Sequence, residues 1–103
     1  MQTVLACNLN AISQENRHRY KDLFRRVQVA ITDRRELADG YVFRLSGESL
    51  LLTDVAEWVS LERLCCPFFI FQLQATGGEP DYWLTLQGPD GAKAIIDHEF
   101  TAE

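Results

Sequence analysis

Cysteine is scarce in this chain, with three in 103 residues, an odd number without the regular spacing of a disulfide framework. That excludes a stapled scaffold, and in a reducing compartment the default expectation is three free thiols. Long apolar runs are lacking too: none approaches the ~20 residues of a membrane span. The opening MQTVLACNLN has no charged region followed by an apolar stretch, so no secretory leader is read there and a cytoplasmic location with no membrane contact is expected. Nor is there a GxxxxGK[ST] or GxGxxG loop, an HExxH pair or a GxSxG elbow. GPDG at 88–91 contains a turn and a helix start, a poor phosphate-binding signal on its own. With no linker, low-complexity segment or convincing sequence repeat, residues 1–103 are expected to form one domain.

What the chain does have is the composition of a globular protein, 47% hydrophobic and 24% charged, which argues against disorder. A domain of this length buries roughly two-thirds of the surface of its unfolded chain. The net charge of −5 is unevenly spread: through Arg44 eight basic residues face five acidic ones, and beyond it two face ten. The basic half is read as a solvated helix offset by the acidic half rather than as a nucleic-acid surface, since no RNA-type aromatic motif or zinc-finger spacing accompanies it.

Apolar residues Tyr20, Leu23, Phe24 and Val27 recur at helical spacing, with Ser13 as N-cap, predicting a helix to about Gln28. β-Branched residues, the Asp39-Gly40 turn signal and the alternation of Tyr41, Phe43 and Leu45 predict a hairpin. Leu51, Val55, Trp58 and Leu61 or Glu62 form the stripe of a second helix of about four turns that Pro67 ends, because the residue before proline is pushed out of the helical region. FFIFQLQ and YWLTLQ predict a second hairpin, and Ala92, Ile95 and Ile96 a final helix capped by Asp90. The order helix, hairpin, helix, hairpin, helix predicts an α+β domain with a four-stranded, mainly antiparallel sheet and helices packed on it. Phe69, Phe71 and Leu73 alternate with Phe68 and Ile70, and Trp83 is out of phase with Tyr82, Leu84 and Leu86. Both sheet faces are therefore apolar near the cysteines, and unless the last helix covers the second face a homodimer or another protein partner is expected.

The chemistry concentrates in ERLCCPFF, residues 62–69. Glu62, Cys65 and Cys66 share one face of the final turn of the second helix. Buried there, Glu62 would have a raised pKa suited to proton transfer; at the edge of the stripe it would pair with a nearby Arg or cap backbone. Arg63 stabilises a thiolate while the helix C-terminus disfavours one. Three readings stay open. The cysteines can pack as core. Cys65 or Cys66 can act as a redox nucleophile, with Glu62 moving protons and Cys7 resolving the product. Or, if the ACNLN segment crosses the end of the second helix, Cys7, Cys65 and Cys66 can hold one soft ion. Three sulfurs suit copper(I), mercury(II) or arsenic(III) better than a closed zinc site. Glu62 and Arg63 would then stand behind the sulfurs, setting their pKa and orientation. His18, on the polar side of the first helix, and His98, near the end of the last, are read as surface residues and not as ligands.

The stretches ACNLN, LADGYVFRL, ERLCCPFF and WLTLQGPDGAKAII together resemble a family of small uncharacterised bacterial proteins that share a short Ala-Cys segment, a Glu-Arg-x-Cys-Cys-Pro-Phe motif and a Gly-Pro-x-Gly turn. The match covers nearly the whole chain and falls on Cys7, Glu62, Arg63, Cys65, Cys66, Pro67 and Phe68. The family supplies no substrate, and association of similar sequences with heavy-metal resistance implies a thiophilic ion as the thing bound.

Overall fold

A computed structural model describes residues 5–100; the first four residues of the stretch read as lacking a leader lie outside it. A 3₁₀ turn, Leu9–Ala11, precedes α1 (Gln14–Ala30), β1 (Ile31–Leu37), β2 (Gly40–Leu45), α2 (Leu52–Cys65), β3 (Ile70–Ala75), β4 (Tyr82–Gln87) and α3 (Ala92–Glu99). The strands form one antiparallel sheet in the order β1-β2-β4-β3. The protein is thus α+β, with three α-helices on a four-stranded antiparallel sheet. Among the described residues no helix is long and apolar enough to cross a membrane.

α1 buries Tyr20, Leu23, Val27 and Ala30 along one stripe. Ser13 is its N-cap, although its side chain makes no capping bond. Two of its arginines pair with acids of α2: Arg19 reaches Glu57 at 2.8 Å and Asp54 at 3.2 Å, and Arg26 reaches Asp54 at 2.9 Å. Part of the uneven charge of the two halves is in this way a contact between α1 and α2.

In α2 the buried stripe is Val55, Trp58, Glu62 and Cys65, joined by Asp54. Leu51, expected on that stripe, is 62% exposed at the N-cap, and Leu50 takes the buried place instead. Cys66 is the non-helical C-cap at φ −123° and ψ 72°, as a residue before proline should be. Asp90 does not cap α3; Gly91 does, at a φ of 95° that a side chain would disfavour.

Phe100 closes the core by contacting Phe24, Phe43 and Trp58, so α3 lies on the same sheet face as α1 and α2. The other face, with Val42, Trp83 and Thr85 between Arg35 and Gln72, is left uncovered by helices. Phe68 is not part of that face: β3 begins only at Ile70, and Phe68 packs edge-on against Phe69 beside the core.

Candidate functional site

Three segments distant in sequence meet at the C-terminal end of α2. The chain before α1 crosses that end, where the Asn8 amide donates to the Cys65 carbonyl at 2.7 Å and satisfies one of the acceptors a helix terminus leaves open. This crossing brings Cys7 to the cysteine pair. Cys7, Cys65 and Cys66 lie with their sulfurs within 4.8 Å of one another, and Glu62, Cys66 and Glu99 form a second group of the same compactness.

The cysteines are not all free. Cys7 and Cys66 form a disulfide across 59 positions of sequence, leaving Cys65 as the buried free thiol. The expectation of three thiols is corrected here, and its physical reason is the crossing of the N-terminal segment, which local patterning does not reveal. Cys65 and Cys66 Sγ are 3.5 Å apart, so the adjacent sulfurs converge even though one residue is helical and the other is not.

Glu62 is fully buried, which decides between its two readings. Its partner is no arginine: the Tyr20 hydroxyl donates to Glu62 Oε1 at 2.5 Å. The Cys65 thiol lies 3.6 Å from Glu62 Oε1, and Cys66 Sγ 3.6 Å from Oε2. Glu99, at the end of α3, places Oε1 3.6 Å from Cys7 Sγ, while its other oxygen is buried without a hydrogen-bond partner among the described residues. Gln28 holds this helix end by donating to the Glu99 carbonyl at 2.7 Å.

Burial dominates the electrostatics of the cluster. It raises Glu62 above the ordinary carboxyl value, against the opposing hydrogen bond from Tyr20. Burial and then the neighbouring Glu62 push Glu99 up to about 8. The Cys65 thiol rises to about 11, first by burial, and Tyr20 is raised by burial and by Glu62. Cys65 is therefore a weak nucleophile at neutral pH.

Arg63 is exposed, and among the described residues it makes no hydrogen bond or salt bridge with the cluster; the expectation that it orients the sulfurs is not met by any contact. It points outward because α2 turns its Glu62, Cys65 and Cys66 face inward. His18 and His98 are both exposed. Tyr20 and Glu99 are the members that sequence reasoning missed. Tyr20 was legible only as core, and Glu99 carries no local signal, since a C-terminal acid acquires meaning only through the placement of α3.

The arrangement can do two kinds of chemistry. Reduced, it offers up to three thiolates and two carboxyls to a cation, with no Lys or Arg paired to Glu62 or Glu99 among the described residues. Oxidised, it sets a thiol against a disulfide. The chain matches no family model, no curated protein and no solved structure.

Proposed function

We propose that the protein, when reduced, binds one soft metal or metalloid ion through Cys7, Cys65 and Cys66. The observation that carries the reading is the convergence of the three sulfurs within 4.8 Å. Metal–sulfur bonds of about 2.3 Å in a trigonal plane separate sulfurs by about 4 Å, so small side-chain shifts suffice once the disulfide is open. A buried acid-rich cluster without a basic partner is costly unless protons or a cation neutralise it. A thiophilic cation replaces the thiol protons, which are released as it binds. Copper(I), mercury(II) and arsenic(III) fit a three-sulfur set best.

The test is native mass spectrometry of reduced protein titrated with copper(I), mercury(II) and arsenite, beside the Cys65→Ser, Cys66→Ser double variant. One ion per chain is expected, lost in the variant and in the oxidised protein. Equal binding by the double variant removes the reading.

A thiol-redox enzyme is the second reading, and the Cys7–Cys66 disulfide beside a free thiol favours it. It stands behind the first because a thiol pushed up to about 11 reacts slowly. Alkylation of reduced Cys65 faster than that of an unperturbed thiol would reverse the order. The open sheet face with Trp83 supports pairing of two copies, whatever the sulfur chemistry. Sedimentation should then show a dimer that weakens in Trp83→Ala; a monomer at every concentration removes it.

A further inference from the structure

We propose that β3 is a docking edge that takes the β3 of a second copy, antiparallel and centred on Leu73, so that the two sheets join into one. The proposal rests on the reading that two copies pair, and gives that pairing a seam. The sheet ends in β1 on one side and β3 on the other, and the two edges are built differently. β1 carries Asp33, Arg34, Arg35 and Glu36 and a break in register between Ile31 and Asp33, both of which discourage a further strand. β3, IFQLQA, has no charge, no proline and an unbroken register against β4, and Ile70 at its start is 59% exposed.

The ladder register identifies which backbone groups of β3 are open. The Gly88 amide donates to the Asp39 carbonyl at 3.2 Å, one step beyond the pairing of Gly40 with Gln87, so Asp39 and Gly88 are a hydrogen-bonded pair. Such pairs alternate along an antiparallel ladder. Leu86, Leu84 and Tyr82 therefore turn their backbone groups to β2, and Gln87, Thr85 and Trp83 turn theirs to β3. Ile70, Gln72 and Gln74 are satisfied in this way, while the amides and carbonyls of Phe71, Leu73 and Ala75 point outward. Among the described residues no loop, helix or side chain bonds that outward row, and no residue of β3 is buried.

A second β3 fits this row because the row matches itself. Centred on Leu73, Leu73 faces its own copy and Phe71 faces the partner's Ala75, each pair exchanging both backbone bonds. Apolar side chains then meet apolar ones on the helix-covered face, and Gln72 meets the partner's Gln74 on the open face. A centre on Gln72 or Gln74 would leave Ala75 or Phe71 without a mate in β3, which selects the register. Neither strand carries a charge, so the chain's net −5 raises no repulsion along the seam itself.

The test combines sedimentation with residue-resolved amide exchange of the oxidised protein, above and below the concentration at which dimers part. The amides of Phe71, Leu73 and Ala75 should exchange about tenfold or more slowly in the dimer than in the monomer, whereas those of Gln72 and Gln74 stay slow in both. Ala75→Pro removes an outward donor and no bond of the ladder to β4, so it should keep the parent's circular dichroism and raise the dimer Kd about tenfold or more. Phe71 and Leu73 amides that exchange alike in dimer and monomer overturn the seam and leave the pairing of copies standing. A folded Ala75→Pro that dimerises as tightly as its parent does the same, and a monomer at every concentration overturns both.

Discussion

Glu99 holds its proton to about pH 8 in the folded chain, against an ordinary value of 4.5, because burial and Glu62 disfavour its charge. Below 4.5 folded and unfolded chains both keep the proton and the contribution to stability is intact. Between 4.5 and about 8 the unfolded chain releases the proton while the folded one retains it, so stability falls as pH rises. Glu62, which faces the same sulfurs, is raised in the same direction, while Cys65 adds its own loss only toward about 11. Urea denaturation of oxidised protein from pH 5 to about 8 should show this decline, and Glu99→Gln should flatten it; stability rising over the window would refute the assignment. Tyr20→Phe removes the shortest bond to Glu62 and should cost about 1–3 kcal/mol. At this scale the sequence was informative where a motif is contiguous: Glu62, Cys65 and Cys66 on one helical face follow from spacing alone. It was silent on Tyr20 and Glu99, which reach the same cluster from two other helices.

Among the elements, the central strand pair β2–β4 owes the close approach at one of its ends to Gly40. A Cβ there would lie 1.9 Å from the Leu86 carbonyl oxygen, so β2 and β4 would have to part. Gly40→Ala should therefore lower stability by about 1–3 kcal/mol or more, read from its denaturation midpoint, whereas Gly77→Ala, with open space around it, should not. β1 is an exposed edge strand whose Asp33, Arg34, Arg35 and Glu36 discourage pairing with another chain. The α+β class was legible because helical and alternating periods separate cleanly in this sequence. What could not be read was which residue of a local run faces inward, as with Leu50 and Leu51, since packing against other elements decides it. The same limit explains Asp90 and Gly91: a good capping residue one position too early loses to the backbone conformation the turn requires.

For the molecule as a whole, the Cys7–Cys66 disulfide closes a long loop, and reducing it should cost about 2–4 kcal/mol of stability. Thermal melts of oxidised, reduced and Cys7→Ser protein test this: the last two should agree. If a thiophilic ion binds the reduced form, a hundredfold excess over its dissociation constant restores about 2.7 kcal/mol, which would make metal and disulfide near-equivalent fastenings. The contact between Cys7 and Glu99 joins positions 92 apart in the chain. The two flanks of the described chain thereby meet at one clasp, the sulfur cluster. Loss of the disulfide loosens both sides of that cluster, so amide exchange in the segment around Cys7 and in the last turn of α3 should quicken together on reduction.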